Sequence, residues 1–149
     1  MLGKAVKDTR SPLRIWINAS AATIYDYSED KARDEDSTEL GHDFAKEVAQ
    51  AWEDTFYEAD TPNVRKVALR ISVVLGKRDG AYPVLKRLGK FGLAGTMGPG
   101  TQRFAWVHIQ DLLRMIEFAI VNDSITGPLN CAAPETPTNK TFLKALRVS

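Results

Sequence analysis

The chain has 149 residues, 44% of them hydrophobic and 26% charged, the composition of one globular domain with enough chain to bury a core without staples. One cysteine (Cys131) and two well-separated histidines (His42 and His108) exclude an intramolecular disulfide, a cysteine-based zinc site and a His-rich metal site. With 20 basic against 19 acidic residues, and no apolar stretch near the ~20 residues that span a bilayer, neither nucleic acid nor a membrane is expected as a partner.

The opening MLGKAVKDTRSP lacks the apolar core of a secretory signal, so a reduced, cytoplasmic setting is expected. Residues 2–8 read as the end of a helix that runs into the breaker Ser11-Pro12. Leu13, Ile15 and Ile17 then alternate with Arg14, Trp16 and Asn18, which predicts a strand over 13–20. Residues 28–39, SEDKARDEDSTE, are almost wholly polar. Asp34, Glu35 and Asp36 are adjacent and cannot share a helix face, so they are expected in a solvated loop rather than as an acid/base pair.

Over 39–59, Leu40, Phe44, Val48, Trp52 and Phe56 recur every four residues, flanked by Ala45, Ala49 and Ala59. The pattern predicts a helix with that stripe inward, started by Thr38 or Ser37 and ended by Thr61-Pro62-Asn63. Residues 64–75 make the clearest strand. Val67, Leu69, Ile71, Val73 and Leu75 mark one face, and Lys66, Ala68, Arg70, Ser72 and Val74 the other, with Arg70 reading as a surface residue. A helix with Val84, Leu85, Leu88 and Phe91 follows. Strand, helix, strand, helix is the order of right-handed crossover units around a parallel sheet.

FAWVHI, 104–109, reads as a short strand, and Asp111 is placed to cap the helix DLLRMIEFAIVN, which is apolar nearly all round and so predicted to be well buried. Gly127-Pro128 stops it, LNCAA follows as a brief strand, and PETPT is a turn. Thr138 or Asn139 starts a last helix with Phe142, Leu143 and Leu146 inward. There is no internal repeat, linker or second domain.

The glycine run holds Gly89, Gly92, Gly95, Gly98 and Gly100 and superficially matches G-x-x-G-x-x-G. A dinucleotide fingerprint follows a strand and opens a helix, so that a helix N-terminus meets the pyrophosphate. These glycines follow a helix and lead into a strand. They are either a loop that closes on an anionic ligand or an ordinary turn-rich connection. Ser20 has no nucleophile elbow around it. His108 is expected on a half-buried strand, hydrogen-bonded in place, and Cys131 as a small core residue.

Taken in order, INASAATIYD, DEDS, DFAKEVAQAWED, VALRISVVLGKRDGAYP, GTMGPGTQRFAWVHIQDL and GPLNCAAPETPTNKTFLKAL resemble the C-terminal portion of an atypical, extended-type short-chain dehydrogenase/reductase. More narrowly, the chain is similar to the NAD-dependent epimerase/dehydratase-like proteins called nucleoside-diphosphate-sugar epimerases. The most specific segments are G-x-G-x-Q-x-x-x-W-x-H-I-x-D, Gly98 to Asp111, and A-W-E at Ala51, Trp52 and Glu53.

The resemblance implies an α/β fold over 1–149: the C-terminal half of a Rossmann-like, doubly wound parallel sheet, with the small substrate-binding subdomain. Family members open with a strand, a G-x-x-G-x-x-G turn and a helix that are absent here, so 13–20 would be the fifth strand and 2–8 the tail of the preceding crossover. NAD or NADP is implied for the complete parent and none for this chain alone. Ala19, Ser20, Ala21 and Ala22 would line the nicotinamide side of the cleft, beyond the carboxyl end of the strand. Tyr25, Gln102, Arg103 and Trp106 would meet a nucleotide-sugar-like substrate, with Trp106 stacking on it or simply packing.

The family's acid/base is a Tyr with a Lys four residues on, one helix face apart. Here the matching positions read Phe44 and Val48, or Ala45 and Ala49, and neither pair transfers a proton. The Ser/Thr that polarises the substrate falls at Ala21. Ser20, one residue earlier, is the remaining catalytic candidate and needs a strand-end bulge to enter the cleft. Two readings stay open: redox chemistry at a sugar carbon of a nucleotide-linked substrate, and a non-catalytic ligand-binding or regulatory relative that keeps the cleft. The missing neighbour of strand 13–19 also implies an unpaired edge, and an antiparallel homodimer through it is expected.

Overall fold

In chain order the elements are α1 (Leu2–Lys7), β1 (Ile15–Ala21), a 3-10 turn (Ala22–Ile24), α2 (Phe44–Glu58), β2 (Arg65–Ile71), β3 (Val73–Leu75), α3 (Ala81–Lys90), β4 (Trp106–His108), α4 (Ile109–Val121), β5 (Gly127–Cys131) and α5 (Asn139–Val148). The computed structural model describes residues 2–9, 13–37, 39–40, 43–77, 80–91, 95 and 98–148. Among these, no helix is long and apolar enough to cross a membrane.

β1, β2 and β5 form one parallel sheet in the order β1-β2-β5, and β3 and β4 form a second, two-stranded parallel sheet. The α/β class expected from the element order is therefore what is seen. The central strand is buried on both faces, from Val67 to Arg70, as parallel strands between helical layers are. On the odd-numbered face, Val67 and Leu69 pack with Leu112 and Ala119 of α4 and with Val107 and Cys131. On the even-numbered face, the Trp16 ring meets Phe56 of α2 edge-to-face at 4.9 Å. Lys66 Nζ donates to the Tyr57 carbonyl at 2.9 Å on the same face.

The single strand expected over 64–75 breaks at Ser72. Its N–H and hydroxyl both donate to the Cys131 carbonyl, at 3.1 and 2.8 Å. The next residue has already left the sheet, because Val73 N–H donates to the Ala105 carbonyl at 3.3 Å. One hydroxyl thus switches the chain from the larger sheet to the smaller.

The helix expected from residue 39 begins instead at Phe44. Its cap is Asp43, whose carboxylate accepts from Lys46 N–H at 3.1 Å. Ser37 is occupied with Asp34, and Thr38 lies outside the described residues. The inward stripe also differs. Phe44 is 82% exposed and Trp52 58%, whereas the buried positions are Ala49, Glu53 and Phe56. A four-residue spacing drifts by about 40° per step on a 3.6-residue helix, so Phe44 and Phe56 point about 120° apart.

α4 starts at Ile109, two residues before the expected cap. His108 Nδ1 accepts from Gln110 N–H at 3.3 Å, while Asp111 lies in the first turn, paired with Arg114 at 3.1 Å. The helix is not buried all round: Leu112 and Ala119 are, but Leu113, Phe118, Ile120 and Val121 are exposed. Its C-terminal end is held by Arg65, whose Nη1 donates to the carbonyls of Ala119 and Ile125 at 2.8 and 2.7 Å. β5 begins at Gly127, where φ is +81°, two residues earlier than expected.

α5 is capped by Thr138, whose hydroxyl accepts from Thr141 N–H at 3.2 Å. Leu143 and Leu146 pack on Tyr82 and Leu85 of α3, while Val84 and Leu88 of α3 and Phe91 after it are exposed. The helices approach closely at Gly89, where a Cβ would lie 3.3 Å from the Leu146 carbonyl oxygen. Of the glycine run, Gly92 falls outside the described residues.

The reassigned face of α2 is testable by truncation. Phe56→Ala is expected to cost ~3–5 kcal/mol in urea unfolding, and Phe44→Ala to stay within ~0.5 kcal/mol. Equal losses would return Phe44 to the packed stripe.

Candidate functional site

In open parallel sheets, ligands bind beyond the carboxyl ends of the strands. Register places Ser20, Arg70 and Asn130 in one row across β1, β2 and β5, near those ends. Glu53 reaches the row from α2. Its Oε1 accepts from Ser20 Oγ at 2.6 Å and from Arg70 Nε at 3.1 Å, and its Oε2 accepts from Arg70 Nη2 at 2.8 Å. Both charged residues are buried, Glu53 at 5% exposure and Arg70 at 7%.

The row continues through Tyr25, which follows the 3-10 turn. Arg70 Nη1 donates to Tyr25 Oη at 2.6 Å, with the guanidinium carbon 5.0 Å from the ring centroid. Tyr25 Oη donates in turn to Asn130 Oδ1 at 2.8 Å. Burial works against the Arg70 charge, but hydrogen bonds with Glu53 and Tyr25 outweigh it and hold the guanidinium pKa above its ordinary value. Close by, burial first and the Glu53 charge second push the Tyr57 phenol up to about 12.

Residues 28–39 form the loop expected, with no helix or strand and no buried residue among the described ones, but the loop is tied down at several points. The loop is closed at its base by an antiparallel bridge between Tyr25 and Leu40 and by Asp26 N–H donating to the Glu39 carbonyl at 3.0 Å. Glu35, one of three adjacent acids, accepts from Asn130 N–H at 2.7 Å on the outer edge of β5. The Arg33 carbonyl accepts from Asn130 Nδ2 at 3.4 Å, and the Arg33 guanidinium pairs with Glu39. Further out, Glu29 Oε1 accepts from Tyr27 Oη at 2.9 Å and from Thr101 Oγ1 at 2.8 Å.

The expected site residues therefore fall into groups joined by this loop. Ala19 is exposed, and Ala21 and Ala22 are half-buried at the end of β1. Ser20 turns its hydroxyl to Glu53 of α2. Tyr25 is half-buried, with its hydroxyl bonded on both sides. Arg103 donates from Nε to the Glu29 carbonyl at 3.3 Å and from Nη1 to the Thr136 carbonyl at 3.2 Å. The Gln102 carbonyl accepts from Asn139 N–H at 2.8 Å, and Trp106 sits half-buried on β4 opposite Val73.

Sequence reasoning missed the Glu53–Arg70 pair. A signal was present: Glu53 follows Ala49 by one helical turn, and Arg70 lies on a strand flanked by apolar residues on both sides in sequence. At the Tyr/Lys spacing, Phe44 is exposed and Ala49 is buried beside Glu53. Among the described residues, no three His, Cys, Asp or Glu side chains come together to hold a metal.

No family model matches the chain. It is 36% identical over 147 residues to epimerase family protein SDR39U1 of Mus musculus, covering 98% of this chain and 50% of that protein. It is 37% identical over 130 residues to epimerase family protein YfhF of Bacillus subtilis, covering 87% and 43%. Among solved structures it is similar to the nucleoside-diphosphate sugar epimerase from Corynebacterium glutamicum, with a TM-score of 0.87 at 35% identity over 97% of this chain and 31% of that one. It is also similar to human SDR39U1 isoform 2, solved with NADPH, with a TM-score of 0.86 at 32% identity over 97% and 50%. The chain thus spans about half the length of the curated relatives it matches.

Arg70→Met would leave the Glu53 carboxylate buried without its cation, and a loss of ~3–5 kcal/mol is expected by chemical denaturation. The double variant Glu53→Met/Arg70→Met should recover most of it. A double variant as unstable as the single one would show that the loss comes from packing. Nearby, burial first and the Glu35 charge second push the Cys131 thiol up to about 11. At pH 8 the native chain is expected to resist a disulfide reagent that modifies the unfolded chain at once; rapid native labelling would contradict the burial.

Proposed function

We propose that this chain, which belongs to the atypical, epimerase-like family of short-chain dehydrogenase/reductases, forms the substrate side of an NAD(P)-dependent nucleoside-diphosphate-sugar epimerase/dehydratase-like oxidoreductase. The observation that carries this reading is the end of β1. Ala19, Ala21 and Ala22 present only methyl groups and main chain there, because the Ser20 hydroxyl is drawn to Glu53. A surface of that kind fits a planar nicotinamide ring, which Ala19, Ala21 and Ala22 would hold by contact and by main-chain polar groups.

When bound, the nicotinamide accepts and returns a hydride. This chain's residues would do the rest of the positioning. Gln102, Arg103 and Trp106 stand on the loop and strand of the smaller sheet, where a nucleotide-linked sugar would be gripped. The Glu29 contacts with Thr101 and the Arg103 main-chain bonds fix that segment relative to the larger sheet.

A second reading, a ligand-binding relative that moves no proton, has its own support. The Ser20 and Tyr25 hydroxyls are both engaged inside the buried row, and alanines stand at one of the Tyr/Lys spacings. Activity separates the two: hydride transfer between NADPH and a nucleotide sugar supports the first reading, and ligand binding without turnover supports the second.

For the 149-residue chain itself, the glycine run leads out of α3 toward β4 and does not cradle a pyrophosphate at a helix N-terminus. Calorimetric titration with NADPH and NADH is expected to show no saturable binding in the micromolar range. Millimolar UDP-glucose should perturb the amide resonances of Gln102, Arg103 and Trp106 above all others. Micromolar affinity for either dinucleotide would overturn the first expectation, and shifts confined to other segments would overturn the second.

A further inference from the structure

We propose that Tyr27 and Thr101 are positioning residues, which hold the Glu29 carboxylate off the Arg103 guanidinium and so reserve that charge for an anionic group of the nucleotide-linked substrate. The inference rests on the reading that the segment 102–106 meets such a substrate, and it adds the device that keeps Arg103 able to do so.

Main chain alone anchors the Arg103 guanidinium. Nε donates to the Glu29 carbonyl at 3.3 Å and Nη1 to the Thr136 carbonyl at 3.2 Å. The two carbonyls come from separate segments, the loop after β1 and the turn after β5. They fix the plane of the group but bring no negative charge to it. A guanidinium has five N–H groups in a rigid fork, and the Nη1–Nη2 end of the fork lies beyond both anchors. That end matches two oxygens of one anionic group. Among the described residues, no carboxylate pairs with it.

An acid nevertheless stands on the very residue that Nε touches. The Glu29 carboxylate is turned to hydroxyls instead: its Oε1 accepts from Tyr27 Oη at 2.9 Å and from Thr101 Oγ1 at 2.8 Å. Both are hydrogen bonds to an ionised acceptor, the stronger kind. Thr101 first and Tyr27 second hold the Glu29 carboxyl below its ordinary range, and the Arg103 charge adds less than either. The spacing explains how the parts meet. Tyr27 and Glu29 are two residues apart, as are Thr101 and Arg103, so each segment brings one hydroxyl and one charge. Crossing the hydroxyls to the acid ties the loop to the segment before β4 and leaves the guanidinium uncompensated. Without the two hydroxyls, Glu29 is free to turn onto Arg103 and compete with a ligand there.

The test is a titration of the isotope-labelled 149-residue chain with UDP, followed at the Arg103 side-chain Nε–H resonance and the amides of 101–106. The native chain is expected to give saturable shifts at Arg103 with UDP and none there with uridine. In the double variant Tyr27→Phe/Thr101→Val the Arg103 Nε–H resonance should move before any ligand is added. Because an exposed ion pair is a weak competitor, UDP affinity should then fall by about three- to fivefold. Adding Glu29→Gln to that variant should restore both the resonance and the affinity, which a merely structural role for the hydroxyls would not allow. A double variant that binds UDP as tightly as the native chain, or a triple variant that stays weak, would overturn the proposal and leave the substrate reading standing. Equal Arg103 shifts with uridine would also count against it, since no anion is then being recognised. If UDP shifts nothing within 101–106 of the native chain, the substrate reading itself fails and takes this inference with it.

Discussion

The buried ion pair between Glu53 and Arg70 constrains the rest of the structure. Two charges at 5% and 7% exposure are tolerated because each guanidinium nitrogen and both carboxylate oxygens carry a hydrogen bond. That requirement fixes geometry well beyond the pair. Glu53 sets the rotation of α2 over the sheet. Arg70 cannot move to the odd face of β2, because that face is filled by Val67, Leu69 and α4. A one-residue slip of β2 would place a guanidinium there and pull Leu69 out. The pair therefore specifies register between β1, β2 and β5 more than it adds stability, since well-packed apolar residues would serve stability as well.

The same row determines what the loop 26–37 is. Asn130 extends the network from Tyr25 to the Arg33 carbonyl, and its N–H is taken by Glu35. A segment with nearly all polar side chains is thus folded onto the sheet edge by one of its acids and one main-chain carbonyl. Its outer part reaches the smaller sheet through Glu29. The loop thus adds a side-chain link between the larger sheet and the segment before β4, beside the main-chain bonds from Val73 to Ala105 and from Ala133 to Trp106.

Much of this was legible in the sequence, and the part that was not has a common cause. Alternation in 13–20 and 64–75 located the strands, and the segment order implied the family. Where a single side chain decided an outcome, periodicity was blind. The Ser72 hydroxyl splits one apolar run into strands of two sheets. Asp43, five residues inside the expected helix, caps it, because a carboxylate at an N-terminus outweighs the hydrophobic repeat. The stripe of α2 misled because large apolar residues were assumed to face inward. The sheet face beneath the helix carries Ser20 and Arg70, and so demands a small residue, an acid and one ring. Exposed Phe44, Trp52 and Phe118 are invisible to an amphipathicity argument that counts hydrophobes without asking what surface awaits them.

These constraints bear on chemistry. A hydroxyl that already donates to a buried carboxylate does not turn to a substrate without cost. If Ser20 rotated away, Glu53 would lose one of its bonds, at ~1–3 kcal/mol for a buried acceptor left short. Tyr25 is bound more tightly into the row, since it accepts from a guanidinium and donates to an amide oxygen. Releasing it would uncover a charge-assisted bond on one side and strand Asn130 on the other. Both hydroxyls at the strand ends are therefore built to hold shape. On the proposed reading, contact with a ligand would then come from outside the row: the main chain and methyl groups of Ala19, Ala21 and Ala22 on one side, and the segment 102–106 on the other. A row made this way is preorganised, with neither of its hydroxyls free to move a proton.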